Sequence, residues 1–335
     1  MPKPKQDSVL SIIVVSYNTK DITLQTLESA VADLKQAKLL DKTMFFVVDN
    51  NSQDDSVEAV KNYFNKTKLN HEVIANKDNK GFGGANNQAI AKSQGKYVIL
   101  LNSDTITQPG AFKTLVETFE NNPIDEASAH LSSSSGIKTD RLGIIAPMLL
   151  NTDKTIQAQG GNFPTLLSLT AHMLFLDDLP LIGKLLPSTQ HTGKNRRMGK
   201  DAKELTAVDW LGGTAMMIRR EVIDEIGDLD SAIFMYGEDI EYCMRAKRHH
   251  WDIAIQPQAK IVHLANASAG SENALRGEIK GYIYLWSKFK PFWQLPLVKL
   301  ILWLGVLLRM VLFTVVGNWR KAGIYRRILL GFHRL

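Results

Sequence analysis

Residues 97–106 read YVILLNSDTI, an apolar run that stops abruptly on Asn102, Ser103 and Asp104. A run of this kind is a buried strand, and three polar groups at its end, with no turn residue between, aim a carboxylate at something. The arrangement recurs: SVLSIIVVSYN closes on Ser16, Tyr17 and Asn18, and TMFFVVDNNS closes on Asp49, Asn50 and Asn51. Between these runs the apolar spacing turns helical. DITLQTLESAVADLKQ carries Ile22, Leu24, Leu27, Ala30, Val31 and Leu34, with Asp21 predicted as its N-cap. DSVEAVKNYFNK is a second helix, HEVIAN a short strand, and KGFGGANNQAIAKS a glycine loop entering a helix. Strands alternating with helices predict an α/β fold with a mainly parallel sheet and flanking helices. Such sheets bind ligands beyond the carboxyl ends of their strands, where these polar residues cluster.

Charge and cysteine content narrow the functional classes. One cysteine in 335 residues, Cys243, excludes a disulfide framework and a cysteine-cluster metal site. MPKPKQDSVLSIIVV has too short an apolar run for a signal peptide. The net charge of +6 is unevenly placed: residues 285–335 hold nine Lys and Arg and no acid, so +9 in this tail leaves −3 for the rest. These cations interleave with LILWLGVLL, which points to a membrane surface and away from nucleic acid. At about 100° per residue, Lys288, Lys299, Arg309 and Arg320 share one sector of a continuous helix roughly 80° wide. A tail lying in the membrane plane, with Trp293, Trp303 and Trp319 near the headgroups, is therefore expected over a single span.

Several clusters carry possible chemistry, each with a plainer alternative. Asp104 could simply cap the helix that follows Pro109. As a cation ligand it would need a phosphate-bearing substrate and a further protein ligand, because magnesium and manganese use few carboxylates plus substrate phosphates. NKGFGGANN lacks the phosphate-loop pattern, and Asn86 stands where a dinucleotide fold needs its third glycine, so ATPase and nicotinamide readings fall. Bare backbone at Gly81 could still let a nucleotide approach closely. In FMYGEDIEYCMRAKR, Gly237 breaks the chain and Glu238 and Asp239 open a helix whose Glu241 and Arg245 pair at i, i+4. Acids there stabilise the helix dipole by roughly 0.3–1 kcal/mol, and the same dipole keeps a general base ionised. His263 ends a short apolar strand, and the eight histidines show no zinc-hydrolase spacing. The serine-rich stretch 121–141 reads as an excursion without chemistry, and HTGKNRRMGK carries no motif.

Taken in order, SIIVVSYN, FFVVDNNSQDDS, NKGFGGANN, VILLNSDT, WLGGTAMMIRR and MYGEDIEYCMR resemble inverting glycosyltransferases of family 2, in their rhamnosyltransferase-like branch. The likeness covers about residues 8–270. It implies a GT-A domain over 8–284, with a nucleotide-sugar half at 8–120 and an acceptor-binding, catalytic half at 141–284, followed by the tail at 285–335. It also implies transfer of a sugar, rhamnose by branch, from a nucleoside-diphosphate sugar to a glycan or lipid-linked acceptor in cell-surface polysaccharide synthesis. The work would be done at the cytoplasmic face of the cell membrane. Residue by residue, Ser16, Tyr17, Asn18, Asp49 and Asn51 resemble the base and ribose pocket, joined by Gly81 and Asn86. Asn102 and Ser103 would touch ribose or phosphate, while Asp104 and His263 would ligate magnesium or manganese. Asp239 resembles the catalytic base with Glu238 beside it, and Trp210, Gly212 and Gly213 resemble the acceptor platform. Asn102 departs from the acidic residue usual at its position. Two rivals share the scaffold: a sugar-phosphate nucleotidyltransferase, whose arginine-rich triphosphate loop VVSYNTKDI lacks, and a non-catalytic nucleotide- or carbohydrate-binding protein.

Overall fold

The computed structural model describes residues 8–124, 141–177, 179, 202–264 and 271–335. The serine-rich stretch from 125 to 140 and HTGKNRRMGK therefore lie outside the described residues. The chain divides into two compact units: one of residues 1–161, 190–231 and 239–266, the other of 162–189, 232–238 and 267–335.

The first unit is the α/β half. Its elements begin β1 (Leu10–Ser16), α1 (Lys20–Gln36), β2 (Thr43–Asp49), α2 (Ser56–Thr67), β3 (His71–Ala75), α3 (Gly81–Ile90), β4 (Tyr97–Asn102), β5 (Thr105–Thr107), α4 (Ala111–Glu120), β6 (Leu142–Leu150) and β7 (Gly160–Gly161). After α5 (Leu166–Met173), which belongs to the second unit, come β8 (Thr206–Ala207), β9 (Trp210–Leu211), β10 (Ala215–Arg219), α6 (Arg220–Ile226), α7 (Glu238–Arg248) and β11 (Asp252–His263). The main sheet runs β3-β2-β1-β4-β10-β6-β11-β5. Its first four strands are parallel, as the helical crossovers between them require. β10 then enters antiparallel to both β4 and β6, and β11 returns parallel to β6. Leu10, Ile12, Val14, Phe45, Val47, Tyr97, Ile99 and Leu101 are all buried, which is why these strands read as unbroken apolar runs.

Two local expectations are corrected, and one alternative falls. α1 begins one residue before Asp21, with Thr19 at the cap position. His263 ends the longest strand of the sheet, twelve residues with a register shift between Gln256 and Lys260, and not a short one. Asp104 caps nothing: Gly110 occupies the N-cap of α4. The buried Asp33 of α1 accepts the Gly110 and Phe112 N–H groups instead. Burial raises the Asp33 pKa and these two donors oppose the rise.

The turn between β4 and β5 is clamped from below. Thr26, buried on α1, places Oγ1 2.8 Å from the Ser103 carbonyl oxygen and 2.9 Å from that of Thr105. The same oxygen accepts the Thr105 N–H at 3.1 Å. One hydroxyl thus satisfies backbone on both sides of Asp104.

The second unit is helical: α5, α8 (Glu272–Phe289), α9 (Gln294–Val315) and α10 (Trp319–Leu330). Leu169, Met173, Ile279, Trp286, Val298, Leu302, Val306 and Ile328 form its core. Residue 285 falls inside α8, so this unit reaches back beyond the basic tail. The single-helix premise behind the shared charge sector fails, because the chain breaks before and after α9, with Pro291 in the first break and Gly317, at φ 72°, in the second. Lys288 and Arg320 consequently stand on different helices from Lys299 and Arg309. Arg309 also turns inward. It donates to the Met173 carbonyl at 2.7 Å and the His172 carbonyl at 3.2 Å, and lies 4.3 Å from the Phe175 ring centroid. Gly305 permits the contact, since a Cβ there would lie 2.8 Å from Met173 Sδ. The exposed residues Leu297, Leu300, Leu304, Val311, Leu312 and Val315 instead form a charge-free stripe on α9. At about 100° per residue the stripe is roughly 120° wide, and its centre lies about 120° round the helix from Arg309.

The Thr26 clamp yields an expected outcome. Thr26→Val keeps the shape but strands a buried N–H and two carbonyls, which costs about 1–3 kcal/mol of stability in denaturant melts. Thr26→Ser should stay close to the parent.

Candidate functional site

The carboxyl rim of the sheet is where the polar strand ends meet. β5 pairs antiparallel with the last residues of β11, Thr105 opposite His263, and Leu264 N–H donates to the Asp104 carbonyl at 2.8 Å. This pairing brings Asp104 Oδ1 within 3.2 Å of His263 Nε2, although 159 positions separate them. The side chains are 17% and 16% exposed, so both remain reachable from solvent. On its other edge His263 Nδ1 lies 3.0 Å from Gln157 Oε1.

Asp239 reaches the same strand end by a short relay. Its Oδ2 accepts the Gly213 N–H at 3.2 Å and its Oδ1 accepts the Ile240 N–H at 2.8 Å. The next residue, Thr214, accepts the Asn102 N–H at 2.9 Å through its carbonyl, which ties the glycine turn to the end of β4. Gly213 is constrained: a Cβ there would lie 2.8 Å from the Phe82 ring. Gly212 likewise lies close to Asp239, with a built Cβ 3.9 Å from Oδ2. Trp210 is half-buried in β9, paired with Gly161 in a two-stranded ribbon. Gly160 of that ribbon admits no side chain, because a Cβ would stand 2.1 Å from the Trp210 carbonyl oxygen. Glu238, the first residue of α7, is buried and belongs to the other compact unit.

The ends of β1 and β2 form a second cluster. Tyr17 is half exposed, leaving a ring face open. Asn18 and Asn51 both take positive φ, 54° and 72°. The two loops are stitched together: Asn18 N–H donates to Ser52 Oγ at 2.8 Å, Gln53 N–H to Asn18 Oδ1 at 2.7 Å, and Lys20 N–H to Asp54 Oδ2 at 3.0 Å. Asp49 Oδ2 accepts the Ser52 N–H at 2.9 Å, whereas its buried Oδ1 has no protein donor. A buried carboxylate oxygen without a partner is costly, and an N–H from a ligand would relieve it.

Two residues expected to touch a donor, Ser16 and Asn86, are buried and bonded within the protein. Ser16 is fully buried, its hydroxyl 3.0 Å from that of Thr23 and 3.2 Å from that of Thr19, which in turn meets Ser103 Oγ at 3.2 Å. Asn86 is buried within α3 and bonds back to the Phe82 carbonyl at 2.9 Å. The glycine loop is held by residues not singled out from sequence. Asn50 donates to Asn79 Oδ1 and to the Gly81 carbonyl, and accepts from Lys80 N–H and Asn76. Gly81, at φ 74°, begins α3 where an L side chain would be strained. Sequence alone does not single out Thr26 or Gln157, and it marks Asn50 only as a polar strand end. The available signal for Thr26 was a polar residue one position before Leu27 on the buried stripe of α1; for Gln157 there was none.

Among the described residues, no three His, Cys, Asp or Glu side chains gather closely enough to enclose a metal ion. Asp104 and His263 are a pair, one carboxylate oxygen and one imidazole nitrogen facing each other. That donor set fits a divalent cation shared with substrate phosphates, and does not fit an all-protein cage.

The chain is similar to known glycosyltransferases. Residues 11–167 match the model for glycosyl transferase family 2. The N-acetylglucosaminyl-diphospho-decaprenol L-rhamnosyltransferase of Mycobacterium tuberculosis is 24% identical over 86% of this chain and 88% of its own length. The UDP-Glc:alpha-D-GlcNAc-diphosphoundecaprenol beta-1,3-glucosyltransferase of Escherichia coli is 33% identical over 29% of this chain and 35% of its own. Among solved structures, GalNAc-T7 with UDP, GalNAc and Mn2+ superposes with a TM-score of 0.56 at 16% identity, over 83% of this chain and 48% of that one. The mannosyltransferase PcManGT of Pyrobaculum calidifontis, with GDP-Man and Mn2+, gives 0.51 at 14% identity, over 97% and 84%. The sheet is thus of the GT-A type, and the nucleotidyltransferase and non-catalytic readings give way to a transferase. Over residues 11–167 the chain thus carries a glycosyl transferase family 2 domain.

Proposed function

We propose that this chain is an inverting, divalent-metal-dependent glycosyltransferase that moves rhamnose from a nucleoside-diphosphate sugar to a lipid-linked glycan at a membrane surface. The observation that carries the reading is the approach of Asp104 to His263 at the sheet rim, 3.2 Å apart and half a chain apart in sequence. The Mycobacterium and Escherichia relatives differ in the sugar they are named for, yet both are named for a polyprenyl-diphosphate-linked acceptor, which supports the acceptor class.

In this reading the orphan Asp49 Oδ1 accepts a pyrimidine N3–H and the open face of Tyr17 stacks on the base. Asn102 and Ser103 lie toward ribose and phosphate. Asp104 and His263 would hold the cation, which supplies positive charge against that developing on the departing nucleoside diphosphate. Asp239, oriented by the Gly213 and Ile240 N–H groups, takes the proton of the acceptor hydroxyl as its oxygen attacks the anomeric carbon. The bond from that carbon to the diphosphate oxygen breaks on the opposite face. One displacement inverts the anomeric centre. Gly212 and Gly213 keep side chains away from the base, and Trp210 borders the acceptor.

The second unit suits a membrane surface. α9 is 22 residues long, enough to cross a bilayer, and an 18-residue window within it has a mean hydropathy of 2.1. Yet its inward face is covered by α5, α8 and α10. α10 exposes Arg320, Lys321, Arg326 and Arg327. Carrying these into hydrocarbon would cost about 2.5–3.5 kcal/mol each near the bilayer centre. We therefore place α9 in the membrane plane, its charge-free stripe toward the acyl chains and Phe292, Trp293 and Trp319, all exposed, at the ends of the stripe.

A screen of nucleotide sugars, read as release of free nucleoside diphosphate with and without lipid-linked acceptor, tests the activity. Release should require both a divalent cation and the acceptor, with a rhamnose donor preferred; release of pyrophosphate instead would sink the reading. Asp239→Asn should fold as the parent and lose turnover by at least about 10²-fold, whereas a near-parental rate removes Asp239 from its role. Alkaline carbonate should extract the protein from membranes, and retention in the pellet would mean that α9 spans.

A further inference from the structure

His263 is held from both ring edges, and the second hold has a chemical consequence. Nδ1 lies 3.0 Å from Gln157 Oε1, and an amide oxygen only accepts, so the pairing puts a hydrogen on Nδ1. A neutral imidazole with its hydrogen on Nδ1 keeps its lone pair on Nε2, the nitrogen 3.2 Å from Asp104. Gln157 is not a loose surface residue. Its N–H donates to the Leu149 carbonyl at 2.9 Å, and Leu150 bridges to Ile156, closing a hairpin off the end of β6. The turn of that hairpin is fastened by the Asn151 N–H on the Thr155 carbonyl at 2.8 Å. β6 pairs with β11 as far as Leu150 opposite Val262, so the hairpin delivers Gln157 to the rim position beside His263.

We propose that Gln157 is a positioning residue for the metal site: it fixes His263 in the Nδ1–H tautomer and holds the ring so that Nε2 faces Asp104 as a ligand. This rests on the reading that Asp104 and His263 share a divalent cation. Histidine ligands commonly depend on such a partner on the far ring nitrogen, and removing it costs about 10–100-fold in metal affinity. Leucine at 157 would fill similar volume and offer no acceptor, leaving either nitrogen free to carry the hydrogen.

The test is Mn2+ binding to the full chain in the presence of uridine diphosphate, read by the loss of the free-ion paramagnetic resonance signal. Gln157→Leu should bind at least about 10-fold more weakly, while Gln157→Glu, which keeps an acceptor at the same reach, should bind no more weakly than the parent. Thermal melts establish that each variant is folded. Independently, proton–nitrogen correlation spectra of the parent saturated with Mg2+ and uridine diphosphate should show His263 with its one ring hydrogen on Nδ1. A parent protein with the hydrogen on Nε2, or a folded Gln157→Leu with parental Mn2+ affinity, overturns the positioning role. Asp104→Ala and His263→Ala are measured alongside. If these two also bind Mn2+ as the parent does, the metal site itself is wrong and the role of Gln157 falls with it. If only they lose binding, the site stands and the inference alone fails.

Discussion

The candidate site depends on one strand pairing. The three residues of β5 turn antiparallel against the end of β11, and this alone brings a carboxylate from the first third of the chain to an imidazole from the last third. Nothing in β4 would do so, since that strand is three positions removed from β11, on the far side of β10 and β6. The pairing is secured twice, by Leu264 N–H on the Asp104 carbonyl and by Thr26 under the turn. A sheet that is parallel in its first half and closed by antiparallel and returning strands in its second can thus gather distant residues at one rim. The glycine turn at Gly212 and Gly213, tied to Asn102 through Thr214, brings Asp239 to that rim by the same logic.

Much of this architecture was legible beforehand because the α/β half is built from local signals. Apolar runs of strand length, helical spacing between them and polar residues at strand ends suffice to lay out β1 to β4 and α1 to α3. Errors arose where the deciding contact was distant. The alternative of Asp104 as a helix cap fails because Asp33, more than seventy residues earlier, holds that helix. The burial of Ser16 and Asn86 was likewise not visible in the sequence. Gln157 gave no signal at all, because its meaning comes only from a hairpin that returns it to His263.

The tail shows the same limit in another form. Summing angles along one continuous helix gathered four cations into a sector, but the breaks flanking α9 divide them among three helices. Arg309 then proves to be internal, its guanidinium bound to the last carbonyls of α5 and stacked on Phe175. Its burial explains how an arginine can sit in so apolar a helix while the outer stripe stays free of charge. The attraction of this unit to a membrane therefore rests on an apolar stripe with basic neighbours on α8 and α10, in place of a mixed face on α9.

The central claim is spatial, and anomalous scattering addresses it directly. Crystals grown with Mn2+ and uridine diphosphate, measured at the manganese edge, should give one strong anomalous peak between Asp104 Oδ1 and His263 Nε2. A peak elsewhere on the protein, with Asp104 and His263 still joined to each other, would contradict the account.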